Sequence, residues 1–361
     1  MKANPRRRTV LGAGALGAIG ILTTGVLTAP RPSLLGKATG DPGLTAALAP
    51  HLKGHRRVAV VHLDAEGTSR FAGFGAGAER EFEIGSVSKT VTASLLAQAV
   101  EADDLRLKTT VGDVLDVAGS EVADVTLAEL ATHTSGLPRL SPGITASALT
   151  STFLRSDPYA DQDPAELIEA ARSVSLQGRG TESYSNFGVA LLGQLLAHAD
   201  GTDYAHLAQQ KVLSPLGMAA SSVPVVAQNL TDAARRGHTA EGLPTACWTM
   251  NGSAPAGGVR STAADMARYL RGMIDGSAPG AEAATTVLHE GSDHDTAMLW
   301  VHEKLGGGIP IIWHNGMTGG YAAFCGWRTD SGEGIVLLTD TARSPDDVGR
   351  AVLSGDIEVA S

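Results

Sequence analysis

A mixed α/β fold, with one lobe built from both ends of the chain and a helical lobe inserted between them, is what this sequence predicts. Three observations carry it. Short apolar runs rich in β-branched and aromatic residues sit near the start, at 57–64 and 68–74, and return from 298 onward. The stretch from about 105 to 255 carries helix-start and helix-stop signals instead. No internal repeat interrupts this order, so strands from the two ends meet in one lobe and hold the helices as an insertion.

The elements follow in order. Lys2, Arg6, Arg7 and Arg8 open the chain, and no acid precedes Asp41. Val10 to Ala29 then runs 20 residues without a charge, which marks an export signal or a membrane anchor. Arg7-Arg8-Thr9-Val10-Leu11 also has the twin-arginine pattern. Residues 1–29 are therefore expected outside the fold, with the protein exported and either released or anchored through residues 10–29. Residues 30–55, rich in Pro, Gly and Ala, read as a tether holding a short helix. The domain proper is expected over 56–361.

Within it, 57–64 is a buried-strand run and 68–74 its hairpin partner. Ser86 opens a helix whose Val91, Leu95, Leu96 and Val100 recur at helical spacing. Thr126-Leu127-Ala128-Glu129 is a capping box, and Gly136 with Pro138 ends the helix it starts. Asp163-Pro164-Ala165-Glu166 places proline at a first helical position. Another helix fits 262–273. Strands are expected at 298–302, 309–313, 321–327 and 334–339, split by Gly-rich turns, with a closing helix at 346–353.

Composition narrows the function. A chain of 361 residues with 43% hydrophobic and 18% charged residues can bury a sizeable core. Its formal net charge of −10 lacks the basic footprint of a nucleic-acid binder. Cys247 and Cys325 permit one disulfide or two buried thiols. Gly12-Ala13-Gly14-Ala15-Leu16-Gly17 matches the dinucleotide fingerprint, but it lies in the export segment with no strand before it. His289, His294 and His302, among Glu290, Asp293, Asp295 and Glu303, match no helical zinc spacing and read as a solvated loop. Neither a metal nor an organic cofactor is expected. Trp300, Trp313 and Trp327 read as strand core, whereas Trp248 sits in an irregular stretch and is a candidate for lining a cleft.

Three short motifs carry the chemistry. Ser86-Val87-Ser88-Lys89 sets a hydroxyl and an amine at i and i+3, on one face of a helix. Phe82-Glu83-Ile84-Gly85 supplies the turn before it, and helix-start N–H groups favour a developing oxyanion. Tyr184-Ser185-Asn186 alternates on an extended segment, so Tyr184 and Asn186 point the same way. Tyr184 is expected as a phenolate base held down in pKa by Lys89. His314-Asn315-Gly316 ends the strand at 309–313, where an edge strand can align a substrate amide and offer the Met317 N–H to an oxyanion. Serine, lysine and tyrosine in this order make an acyl-transfer site that needs no histidine–aspartate relay. No Gly-x-Ser-x-Gly occurs, which argues against an ordinary α/β-hydrolase.

With Thr132-His133-Thr134-Ser135-Gly136-Leu137-Pro138 and Gly257-Gly258-Val259-Arg260-Ser261-Thr262, these motifs resemble the penicillin-recognising serine hydrolases over nearly all of 56–353. That family includes class C β-lactamases, D-alanyl-D-alanine carboxypeptidases, D-aminopeptidases and related esterases. The resemblance implies a β-lactamase/transpeptidase-like fold, an antiparallel sheet flanked by helices. It implies Ser86 as nucleophile, Lys89 as its base partner and Tyr184 as acid/base. Asn186 would hold Lys89 and the substrate amide, and the N–H groups of Ser86 and Met317 would form the oxyanion hole. His314, Asn315 and Gly316 would border the substrate. Thr132 to Pro138 is expected to be structural, with His133 outside the site.

The third motif departs from the family. His314 and Asn315 replace the lysine and hydroxyl residue of class C β-lactamases, and histidine, with an ordinary pKa of about 6.5, is mostly neutral at pH 7. A fixed cation for a substrate carboxylate is weakened there. The expected activity is that of a D-alanyl-D-alanine carboxypeptidase-like peptidase or β-lactamase-related hydrolase, acting through a Ser86 acyl-enzyme on a peptide, ester or β-lactam. An acyl-D-amino-acid peptide is the leading substrate class, and efficient β-lactam hydrolysis is not expected. An esterase, amidase or transacylase acting on a small metabolite is the alternative, and a penicillin-binding sensor without turnover is the non-enzymatic one.

Overall fold

Val58–Leu63 and Gly334–Thr339 are buried at every position, so each needs cover on both faces, as central strands do. In a computed structural model describing residues 34–359 they pair with each other antiparallel, with Val60 opposite Leu337. Among the described residues the sheet has nine strands: β1 (Ala38–Gly40), β2 (Val58–Leu63), β3 (Ser69–Phe74), β6 (His289–Glu290), β7 (Asp295–Thr296), β8 (Val301–Leu305), β9 (Ile309–Met317), β10 (Ala322–Arg328) and β11 (Gly334–Thr339). Their order is β1-β3-β2-β11-β10-β9-β8-β7-β6, and every pairing is antiparallel. The terminal strands thus meet as the sequence predicts. A short pair, β4 (Phe82–Glu83) with β5 (Arg260–Ser261), stands apart.

Alternation along the central strands divides the core in two. Val58, Val60, Phe324, Ile335 and Leu337 face helices Pro42–Leu48 and Asp346–Ser354. Ala59, Val61, Cys325, Val336 and Leu338 face helix Ala263–Asp275 and the helical lobe. That lobe comprises Val111–Val114, Leu127–Ala131, Pro142–Leu154, Pro164–Ser173, Asn186–Asp200 and Tyr204–Ala208. Both expected capping boxes are formed, by Thr126 with Glu129 and by Asp163 with Glu166. At the centre lies helix Ser88–Glu101, whose first ten residues are buried on all sides.

Four expectations change. Residues 38–51, placed in a tether, belong to the domain: β1 pairs with β3, and Asp41 caps the helix that buries Leu44 and Leu48. The strand placed at 298–302 starts at Val301, because Leu299 takes a left-handed φ of 65° and breaks the extended path. β9 runs on to Met317, so His314 and Asn315 lie inside a strand and point to opposite faces. Of the 289–303 histidines, His289 lies on β6, His302 on β8 and His294 in the turn between β6 and β7. His289 and His294 flank Glu182 at 3.8 and 3.1 Å, and His302 donates to the Ala284 carbonyl. Cys247 and Cys325 are separate thiols. The proposed export segment, residues 1–29, lies outside the described residues. Among those described, no helix is long and apolar enough to cross a membrane.

Candidate active site

Ser86 lies in a 3-10 turn, Gly85–Val87, that leads into the central helix. Gly85 makes that turn with φ of 51°, a left-handed conformation that glycine adopts without strain. A β-carbon on Gly85 would stand 2.6 Å from the Met317 nitrogen, and one on Gly316 would stand 1.9 Å from the Ile84 oxygen and 2.8 Å from the Ser86 nitrogen. Two glycines, one from each motif, therefore let the serine turn and β9 touch through their backbones. The contact brings the Ser86 and Met317 amides together.

Lys89, one helical turn on, is fully buried. Its Nζ lies 2.9 Å from Ser86 Oγ, 2.8 Å from Asn186 Oδ1 and 2.5 Å from the Ala256 carbonyl. Burial, helped by the charge of Arg139, pushes the Lys89 pKa well below the ordinary lysine value. Nζ donates to the Asn186 side-chain oxygen, to the Ala256 carbonyl and to Ser86 Oγ.

Tyr184 donates to Ser86 Oγ at 2.7 Å. Burial raises its pKa, opposed by the Ser86 hydrogen bond and Arg139. The expected phenolate is thus corrected. Burial shifts both groups toward their uncharged forms, the lysine downward and the tyrosine upward. Ser86 Oγ is held between two donors, Tyr184 OH and Lys89 Nζ.

The segment 132–138 explains why Tyr184 stands where it does. Gly180 N donates to Thr134 O, Ser183 N to His133 O, and Ser185 Oγ to Pro138 O. Ser185 also caps helix Asn186–Asp200 by accepting from Gly188 N at 2.8 Å. His133, set aside in the sequence, packs its ring 4.6 Å from that of Tyr184. Burial, with the Lys89 charge behind it, holds His133 down at about 3, and its Nδ1 accepts from Ser185 N. It supports Tyr184 as an uncharged plate. Its place in the Thr132–Pro138 motif was the available signal.

His314 and Asn315 divide as alternation requires. His314 is buried on the Lys89 side, and burial together with the Lys89 charge lowers its pKa to about 3. Its Nδ1–H donates to the Asn315 carbonyl at 2.6 Å, since a carbonyl can only accept. Neutrality at pH 7, expected from histidine alone, is reinforced. Asn315 turns its amide to Asp346 at 2.5 Å on the opposite face, so its side chain is already engaged.

Ser86, Tyr184, Asn186, Asn315, Gly316 and Met317 border one cavity of about 640 Å³. Trp248 lines it too, as does Tyr159, which accepts from Asn186 Nδ2 at 3.3 Å. Asp157 holds this wall by accepting from Thr249 N and Met250 N. Arg139 and Arg155 also line the cavity, and among the described residues no Asp or Glu does. Sequence spacing singled out none of Tyr159, Arg139 or Arg155, because each reaches the cleft through the loops of the helical lobe.

A family model described as beta-lactamase matches residues 42–357, and the chain belongs to that family, within the penicillin-recognising serine hydrolases. It is similar to Penicillin-binding protein 4 of Amycolatopsis lactamdurans, 29% identical over 288 residues covering 72% of each chain. It is also similar to the D-alanyl-D-alanine-carboxypeptidase/endopeptidase AmpH of Escherichia coli (strain K12), 29% identical over 52% of this chain and 47% of that one. Among solved structures, a class C beta lactamase from Rhodobacter sphaeroides superposes with a TM-score of 0.73 at 22% identity, covering 86% of this chain and 97% of the other. D-alanine carboxypeptidase AmpC from Burkholderia cenocepacia gives 0.71 at 24%, covering 87% and 98%. The antiparallel sheet flanked by helices is the fold these share.

Proposed function

We propose that this serine hydrolase is an exported D-alanyl-D-alanine carboxypeptidase-like enzyme that cleaves acyl-D-amino-acid peptides through an acyl-enzyme on Ser86. The observation that carries it is Ser86 Oγ held between Lys89 Nζ at 2.9 Å and Tyr184 OH at 2.7 Å. Ser86 Oγ attacks the scissile carbonyl while its proton passes to Lys89. The N–H groups of Ser86 and Met317 take the charge that develops on the carbonyl oxygen. Tyr184 protonates the departing amine, and the Lys89 proton restores Tyr184. Water then attacks the ester on Ser86, releasing the acid and the free serine. The names of the relatives, a penicillin-binding protein and a carboxypeptidase, favour a peptide over other acyl donors. Neutral His314 keeps a second reading open, an esterase, amidase or transacylase.

The test is to incubate the full chain with benzylpenicillin and with an acyl-D-alanyl-D-alanine peptide, then record intact mass and released D-alanine. An adduct on Ser86 with D-alanine release supports the peptidase. Undiminished release by Ser86→Ala overturns the mechanism, and ester cleavage without either result favours the second reading. Export rests on Arg7-Arg8 and the uncharged run after them. Replacing both arginines by lysine should leave the protein inside the cell, and unchanged export would defeat a twin-arginine route.

A further inference from the structure

The cleft is a positively charged recess in an acidic protein. Among the described residues its lining holds Arg139 and Arg155 and no acid, whereas the whole chain carries −10. Arg155 is tied, donating through Nε to the Pro244 carbonyl at 3.1 Å. Arg139 forms no ion pair with a described residue, is exposed, and holds its guanidinium 5.0 Å from the centre of the Tyr184 ring. Its place is fixed by its backbone, since the Arg139 carbonyl accepts from Asn186 N at 3.0 Å at the start of helix Asn186–Asp200. The backbone that carries the cation is thus tied to Asn186, which touches Lys89, and the guanidinium lies against Tyr184, which touches Ser86.

The other directions out of the site are unsuited to an anion. Past Tyr184 and His314 lies a second cavity of about 360 Å³, lined by Glu182, Asp293 and Glu303. Its one arginine, Arg350, is already paired with both carboxylate oxygens of Glu303. At the edge beside Asn315 stands Asp346, and His314 brings no charge.

Resting on the acyl-enzyme reading above, we propose that Arg139 is the specificity-determining residue for a carboxylate carried by the leaving group. The cation missing from β9 is supplied from the helical-lobe wall, next to the tyrosine that protonates that leaving group. A guanidinium suits this role because its planar fork can bind a carboxylate through two N–H groups.

Two thioesters of one acyl-D-alanine test it, one releasing mercaptoacetate and the other the uncharged 2-mercaptoethanol, with free thiol as the readout. The wild type should prefer the anionic leaving group. Arg139→Gln should lower the ratio of the two kcat/KM values by about 10- to 100-fold, the worth of a charged hydrogen bond. A merely structural arginine would depress both substrates together, and an unchanged ratio overturns the inference. Should that variant not fold, the wild-type ratio read at low and high salt decides, since an exposed ion pair is screened. A salt-independent ratio overturns the inference as well. If Ser86→Ala hydrolyses both thioesters like the wild type, the acyl-enzyme reading itself fails. Ser86 labelling with an unchanged ratio sinks Arg139 alone.

Discussion

Gly316 stands so close to Ile84 that a β-carbon on it would lie 1.9 Å from the Ile84 carbonyl oxygen. The third motif is pressed against the turn of the first, and the space between them admits backbone alone. Gly316→Ala should therefore push β9 from the serine turn and separate the Ser86 and Met317 amides. Overpacking of this kind costs about 1–3 kcal/mol, and loss of one oxyanion donor costs about 10²–10³ in kcat. Urea unfolding and single-turnover acylation check the two effects. Wild-type acylation in Gly316→Ala would mean that the amides do not act as a pair.

The directions in which burial shifts Lys89 and Tyr184 predict the pH profile. Lys89 accepts the serine proton only when neutral, so kcat/KM should rise with pH as it deprotonates. Its burial puts that limb well below the ordinary lysine range. At alkaline pH the rate should fall as Tyr184 ionises, above the usual phenol value of about 10, because burial raises it. Tyr184→Phe should remove the alkaline limb and cut the rate by roughly 10²–10⁴. A profile rising only near pH 10 would show that Lys89 rests as an ammonium.

The sequence made the two ends of this molecule legible because central strands buried on both faces read as unbroken apolar runs, as in 58–63 and 334–339. It made Ser86, Lys89 and Tyr184 legible because their chemistry is rare at that spacing. Two kinds of information were missing. Short edge elements such as Ala38–Gly40 carry too little apolar surface to signal a strand, and their pairing is set by a partner 34 residues away. The protonation of Tyr184 depends on how deeply it is buried and on what lies behind it, here His133 and Arg139, and no local pattern reports that.

His314 makes the fold sensitive to acid. Its folded pKa of about 3 lies below an unfolded value of about 6.5. Above pH 6.5 the ring is neutral in both states and stability is unaffected. As pH falls from 6.5 toward 3 only the unfolded chain takes up the proton, so stability is lost at up to about 1.4 kcal/mol per unit. His133, also held at about 3, acts in the same sense. His314→Asn should therefore lose about 2–3 kcal/mol less than wild type between pH 7 and 4.5, read as denaturant midpoints. Equal acid sensitivity would mean that the imidazole is protonated in the folded protein.

Glu83, three residues before Ser86, ties the walls of the cleft together from beneath. One carboxylate oxygen accepts from Arg260 Nη1 at 2.8 Å and from Trp248 N at 2.9 Å, and the other from Thr318 Oγ1 at 2.6 Å. Both Glu83 and Arg260 are buried, and burial raises the Glu83 pKa against the pull of Arg260. Removing the carboxylate leaves Arg260 with Glu81 alone and releases the Trp248 loop from the floor. Glu83→Ala should thus destabilise the fold by about 3–5 kcal/mol, as expected when one partner of a buried ion pair is deleted. Thr318→Val, which breaks a single hydrogen bond to the same carboxylate, should cost about 1–3 kcal/mol. If both variants kept wild-type stability while KM rose, Glu83 would serve only to seat Trp248 in the cleft. If neither stability nor KM moved, the network would have no part in holding the site.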